Sequence, residues 1–290
     1  MSAHIWHLLY RLCPIRRDFR RSRFDKLLCE AMRRDIAGHL RGRGLEIGAQ
    51  TSPFPVNPSR ARVEHADIRT PEDQSRRHRF DLKRLVSVDH LLPPGGSLHA
   101  IPSESFDFLV AAHVLEHIWD IRGTIEDWKR VIREGGHLAL VLPDRRWNVM
   151  DHRISPSDPG EVISRCPDEG RALRDHLLRL QHEATGLVGE ALEARVDTVI
   201  ANEAHPHLNQ WTCEEFLALV GLHPAFHGLH PVRWWHLPRA FEFGVLFERR
   251  LGAHPCSGPH PPRWPGMGRV TRTLLSLIRR KVTRRASPRT

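Results

Sequence analysis

The stretch FDFLVAAHVLEHIWDIRGTIEDWKRVIREGGHLALVLP, residues 106–143, decides the fold. It reads as strand, short polar turn, helix, glycine turn, strand. Phe106 to Ala112 is a short apolar run of the kind that forms a parallel strand buried on both faces. Trp128, Val131 and Ile132 recur at helical spacing. Gly135-Gly136 should stop that helix, because glycine tolerates the left-handed residue needed just past a helix end. His137 to Leu142 is a second buried strand, closed by Pro143. His113, Glu116 and His117 therefore fall just past the carboxyl end of a parallel strand, where open α/β sheets bind their ligands.

Upstream, Phe24, Leu27, Leu28, Met32 and Ile36 share one face of a helix over residues 20–40, which Gly42 and Gly44 should break. GLEIGA (44–49) is a short strand entering a glycine turn, and a glycine there lets backbone pass close to a ligand. The prolines of TSPFPVNPS (51–59) leave no room for an ordinary helix directly after it. RVEHADI (62–68) is a second strand ending at Asp67, and Leu85 to Val88 a third, ending before Asp89. Glu46, Asp67 and Asp89 then close three successive strands. A carboxylate at the second strand's end, about 20 residues past the glycine turn, can accept both hydroxyls of a ribose.

Residues 144–210 read as a long insertion, helical over roughly 168–200, where Leu173, Leu177, Leu178 and Leu180 are suitably spaced. Thr212 with Glu215 forms a capping box opening a helix that Gly221 should end. FEFGVLFER (241–249) is a late strand, central or antiparallel at the sheet edge. Trp234-Trp235 reads first as packing at a sheet edge.

The charge is concentrated at the ends. Residues 1–44 hold 11 Lys/Arg against 4 Asp/Glu and residues 263–290 hold 9 against none, so the stretch between carries −6 of the chain's net +10. The expected division is a basic N-terminal helical arm (1–43), a main domain (44–250) whose insertion (144–210) recognises substrate, and a linker with a basic amphipathic tail (251–290). Basic arms call for anionic partners, lipid headgroups or nucleic acid. In the tail, Leu274, Leu275, Leu277, Ile278 and Val282 give residues 268–286 an apolar face suited to a membrane surface. No run reaches the roughly 20 apolar residues of a membrane span. The five cysteines form no C-x-x-C pair, which suits a reducing, cytoplasmic setting.

In order and spacing, GLEIGA, HADI, SFDFLVAAHVLEHIWD and VIREGGHLALVLPD resemble the motifs of class I S-adenosylmethionine-dependent methyltransferases, closest to the group with an HVLEH-type turn. The resemblance covers residues 44–143 well and 204–250 loosely. It implies an α/β, Rossmann-like seven-stranded mostly parallel sheet with helices on both faces, the long insertion falling after the fifth strand and FEFGVLFER supplying the last strand. It further implies S-adenosyl-L-methionine as cofactor, with Glu46 and Gly48 at its methionine end, Asp67 on the ribose, Asp89 near adenine and His113 touching it. This chain departs from the pattern at Gln50, where a second glycine is common, and in the proline-rich segment that replaces the helix after the first loop.

The HVLEH turn reads in two ways. Some members hold a divalent metal with Glu-x-x-Glu-His; here the set would be His113, Glu116 and His117, completed by His152, His205 or His207. The alternative, taken as the expectation, is a metal-free pocket wall. PDRRWNVMDHRISPS (143–157) and AHPHLNQWT (204–212) resemble methyltransferases of surface-polysaccharide assembly. On that reading Asp144, Arg145, Asp151, His205 and His207 meet the acceptor, a glycan or small molecule. His117 and His152 are the candidate bases, since imidazole titrates in the useful range. An RNA methyltransferase and a non-catalytic scaffold of the same fold are the competing readings.

Overall fold

A computed structural model of the chain describes residues 23–148, 151–165, 170–202, 206–236, 240–250 and Gly252. His205, the chain before Arg23 and the 268–286 tail lie outside the described residues.

One seven-stranded sheet organises the molecule, in the order β3-β2-β1-β4-β5-β7-β6. Its strands are β1 (Gly42–Ile47), β2 (Ala61–Asp67), β3 (His90–Leu91), β4 (Phe106–Ala112), β5 (Ile132–Pro143), β6 (Leu229–His236) and β7 (Glu242–Arg249). Strands β1 to β5 are parallel, while β7 runs antiparallel to both β5 and β6. The order reverses at β1 and β4, which makes the crevice between their carboxyl ends the expected ligand site.

Alternate residues of each central strand feed opposite cores, as a pleat with period two requires. Leu109, Ala111, Leu138, Leu140, Leu142, Phe243, Val245 and Phe247 pack on one face. There they meet Ile125 and Trp128 of α3 (Ile121–Val131) and Phe216 and Leu219 of α7 (Cys213–Leu222). Phe108, Val110, Ala139, Val141 and Leu246 point to the other face. They are covered by Leu28, Met32 and Ile36 of α1 (Arg23–Ala37) and by Phe54. Covering both faces is what allows these strands to be apolar throughout. Helix α1 is thus built into the packed body, and the Trp235 indole N–H of β6 donates to its Asp35 at 2.8 Å.

No helix intervenes between β1 and β2: residues 48–60 form turns and an extended segment. After β2 comes α2 (Pro71–His78). The insertion holds α4 (Pro159–Ser164), α5 (Gly170–Thr185) and α6 (Gly189–Ala201), with a small core of its own around Trp119, Ile154, Leu177, Leu180, Val196 and Val199.

Four local expectations are corrected. Helix α3 stops at Val131, and Ile132 already belongs to β5. Gly135-Gly136 instead shapes an irregularity inside that strand: Gly135 has φ +73°, and a Cβ on Gly136 would lie 2.7 Å from the Asp107 carbonyl oxygen. Gly42 and Gly44 sit within β1, where a Cβ on Gly44 would overlap the Phe108 ring. Helix α7 runs one residue beyond Gly221, to Leu222. The third strand is the short pair His90–Leu91, so Asp89 precedes it.

Candidate active site

On the cofactor side, β1 delivers Glu46 and then Gly48 to the crevice. Gly48 has φ +71°, and a Cβ there would press on Val114 at 3.0 Å, so glycine keeps this corner open. Glu46 is 2% exposed, and both its carboxylate oxygens accept the Phe54 N–H, at 2.9 and 3.0 Å. Burial raises its carboxyl to about 7, against the opposing pull of that N–H and of Arg33. Glu46 thereby pins the proline-rich loop that stands where a helix is absent. Asp67, buried at the end of β2, accepts the Arg69 N–H at 3.0 Å, and burial raises its carboxyl above the ordinary range. Asp89, expected near adenine, stands just before β3 and accepts the His65 N–H at 2.9 Å.

On the other side of the crevice, His113 leaves β4 with φ +57° and a 3-10 turn follows at Leu115–His117. The insertion is strapped onto this turn. Leu208 and Asn209 N–H groups both donate to the Glu116 carbonyl, at 2.7 and 3.0 Å, and the Asn209 amide donates to the Ile118 carbonyl at 2.7 Å. That strap brings the His207 ring to 4.8 Å from the His117 ring, edge on. His207 Nδ1 faces the Asp151 carboxylate at 2.8 Å, and His117 Nδ1 donates to the Pro206 carbonyl at 3.0 Å.

These groups continue a buried chain of alternating charge. Arg33 of α1 makes a two-pronged pair with Glu242 at the start of β7, at 2.9 and 2.7 Å. Glu242, fully buried, also contacts His113 Nε2 at 2.8 Å, and His113 Nδ1 lies 3.2 Å from Glu116 Oε1. Burial disfavours charge on His113, but Glu116 and Glu242 outweigh it and raise the imidazolium to about 9. Burial likewise opposes ionisation of Glu242, yet hydrogen bonds from His113 and Arg33 hold it down to about 2. Glu116 is also lowered against the effect of its burial, chiefly by His113 and then by His117 and His207. His117 is lowered, first by burial and also by His207, so its ring is neutral.

Glu116, His117 and His207 therefore converge, with Asp151 and His113 as supports. Arg33 and Glu242 were missed in the sequence. Their signals were an arginine on the apolar side of α1, between Cys29 and Ile36, and an acid opening an otherwise apolar strand. Asp144 and Arg145, expected at the acceptor, are both engaged with other side chains. Asp144 is fully buried and spent on Arg146, at 2.7 and 3.0 Å, and on His236 at 3.3 Å. Arg145 pairs with Glu215 of the capping box at 2.9 and 3.0 Å. Asp151 is fully buried and faces His207 Nδ1 at 2.8 Å. His152 follows Asp151 and donates its main-chain N–H to Asn148 at 3.0 Å.

Residues 45–140 match the Methyltransf_11 family, a methyltransferase domain. No curated protein matches the chain. Solved structures similar to it include the YcgJ protein of Bacillus subtilis, at 14% identity and TM-score 0.41, covering 77% of this chain and 99% of that one. A SAM-dependent methyltransferase of Aquifex aeolicus is 12% identical at TM-score 0.38, covering 75% and 90%. Another, of Thermotoga maritima, is 17% identical at TM-score 0.41, covering 85% and 94%. No residue role is carried over from them. Family match and strand order together define an enzyme of the S-adenosylmethionine-dependent methyltransferase class. Its cofactor is S-adenosylmethionine. The residues present fit that cofactor: a glycine corner that a Cβ would crowd, and the carboxylate of Asp67 one strand away.

Proposed function

We propose that the protein methylates a hydroxyl oxygen, that of a sugar in a glycan or lipid-linked saccharide. The observation that carries this reading is the imidazole pair His117 and His207, the latter backed by Asp151, at the mouth of the β1–β4 crevice. A hydroxyl must lose its proton as it is methylated, and a carboxylate-oriented imidazole is a suitable group to assist. When bound, S-adenosylmethionine supplies an electrophilic methyl group. The chain's own tasks are then to align the acceptor, exclude water and remove the proton. Glu116 and His117 line the acceptor side, His207 closes over them from the insertion, and His152 is the remaining candidate base.

An acceptor without phosphate fits the insertion's charges better than RNA does. Several of its arginines are engaged with acids: Arg165 and Arg179 meet Glu161, Arg174 meets Glu193 and Asp197, and Arg146 meets Asp144, while Arg153, Arg171 and Arg195 are exposed. A nucleic-acid groove needs such cations free for phosphates. Residues 268–286 would hold the enzyme to an anionic membrane at its cytoplasmic face, near lipid-linked saccharides. Equal liposome flotation with and without residues 263–290 would remove that part.

The test is incubation of the full chain with methyl-labelled S-adenosylmethionine and separate glycan, RNA and small-molecule pools. Label is expected in the glycan as a base-stable ether. Label in RNA instead would overturn the acceptor assignment. A folded chain that binds no S-adenosylmethionine in calorimetry would favour a non-catalytic scaffold.

A further inference from the structure

We propose that Glu116, His117 and His207 bind a divalent transition-metal ion, a site that rests on the acceptor pocket described above and deepens it. One ligand atom from each of the three lies within 4.8 Å of the others. The Nε2 atoms of His117 and His207 both stand 3.9 Å from Glu116 Oε1, a spacing that an ion between them would draw in only slightly.

The orientation of each ring supports the assignment. The Pro206 carbonyl can only accept, so His117 carries its proton on Nδ1 and presents the Nε2 lone pair to the cluster. The Asp151 carboxylate fixes His207 the same way. An imidazole whose distal N–H is held by a carbonyl or carboxylate is the usual arrangement around a metal-bound histidine, because the support fixes the tautomer and raises ligand basicity.

Glu116 completes the set. It is fully exposed to none of the solvent, yet neither carboxylate oxygen has a hydrogen-bond donor. His113 Nδ1 approaches Oε1 at 3.2 Å without hydrogen-bond alignment. A buried carboxylate without donors is costly unless something else satisfies it. The residues whose ligand atoms converge are Glu116, His117 and His207, and His113 is not among them. The set is therefore two imidazoles and one carboxylate. That mixture suits zinc, manganese, iron or cobalt better than magnesium or calcium, which prefer all-oxygen shells.

Three protein ligands leave coordination positions open, as in catalytic rather than structural metal sites. The open side is the exposed edge of His117 and His207, whose side chains are 27% and 14% accessible while Glu116 is closed behind them. With both Nε2 lone pairs on the ion the two imidazoles would no longer act as bases; the ion would instead raise the acidity of a sugar hydroxyl entering there, whose proton would leave to water.

The experiment uses the full chain stripped with a chelator, with no cofactor or acceptor present. Titration with Zn²⁺ by calorimetry, and with Co²⁺ followed by its visible absorption, should give one site per chain. Because the chain has 21 histidines, His99→Ala, at an exposed histidine far along the sequence, controls for adventitious binding and should leave the affinity unchanged. His207→Ala and Glu116→Gln should abolish the site or weaken it at least tenfold. Asp151→Asn, which removes no ligand, should weaken it by about tenfold to a hundredfold. Circular dichroism of each variant shows whether it is folded; if Glu116→Gln is not, His207→Ala and Asp151→Asn decide. Absence of a stoichiometric site in the unsubstituted chain, or equal affinity in folded His207→Ala, overturns the proposal. Methyl transfer that proceeds without metal sinks the ion's role but spares the sugar reading. A metal site on a protein that labels no glycan does the reverse.

Discussion

Glu46 and Glu116 stand on opposite sides of one crevice and are both almost wholly buried. Glu46 is raised to about 7, whereas Glu116 is held below the ordinary carboxylate range. Burial acts on both in the same direction, so the neighbours decide. Glu46 has one backbone N–H, from Phe54, a distant arginine, and a single imidazole, His65 at 3.7 Å, whose burial disfavours its charge. Glu116 is ringed by His113, His117 and His207. The first carboxyl is arranged to hold a loop; the second is arranged to keep its charge in a place where charge can be used.

The largest test of that contrast removes the carboxylate that sustains it. Glu242→Ala strands Arg33 and His113 as buried or partly buried cations, and breaking such a pair costs about 3–5 kcal/mol. The loss should appear as a lower urea midpoint.

Next comes pH. Glu46 ionises near 7 in the folded chain and near 4.5 when unfolded. A raised carboxyl favours the folded state most below its unfolded value, and that contribution drains away as pH rises from about 4.5 to about 7. The drop amounts to at most about 3 kcal/mol at ~1.4 kcal/mol per unit. Glu46→Gln should flatten the stability profile over this window by comparison with the unsubstituted chain; parallel profiles would show that folding leaves the Glu46 carboxyl unshifted.

A smaller effect is expected from Gly48→Ala, which forces a side chain into φ +71° and toward Val114. Its strain is about 1–2 kcal/mol, and S-adenosylmethionine affinity measured by calorimetry should fall with it. The smallest is Arg145→Ala. Its pair with Glu215 is worth under about 1 kcal/mol, and the acceptor KM should not move, because this arginine faces the α7 cap rather than the crevice.

Much of the frame was legible because it follows local rules. The apolar runs of β4 and β5, the Thr212–Glu215 capping box and the apolar middle of β7 each follow from pattern or cap chemistry. Gly135-Gly136 misled because a glycine pair serves a strand irregularity as well as a helix end, and only the contact with Asp107 tells them apart. Asp144 looked like a free polar group, but its burial depends on Arg146 and His236, the latter from a strand formed some ninety residues later. The site was half legible. His113, Glu116 and His117 lie in one motif, whereas His207 joins them only through main-chain bonds from the insertion to Glu116. Nothing in local periodicity records that strap.

The Arg33–Glu242 pair joins residues 209 positions apart. At a translation speed of ~5–20 residues per second, the ribosome needs about 10–40 s to make the second partner after the first. By the later part of that interval the residues of α1, β1 and β4, with His113 and Glu116, have been made, but Glu242, one of the two anions that balance His113, has not. The pocket must therefore be assembled late, and a nascent chain cut short before β7 would leave the tunnel with its most demanding charges unmatched.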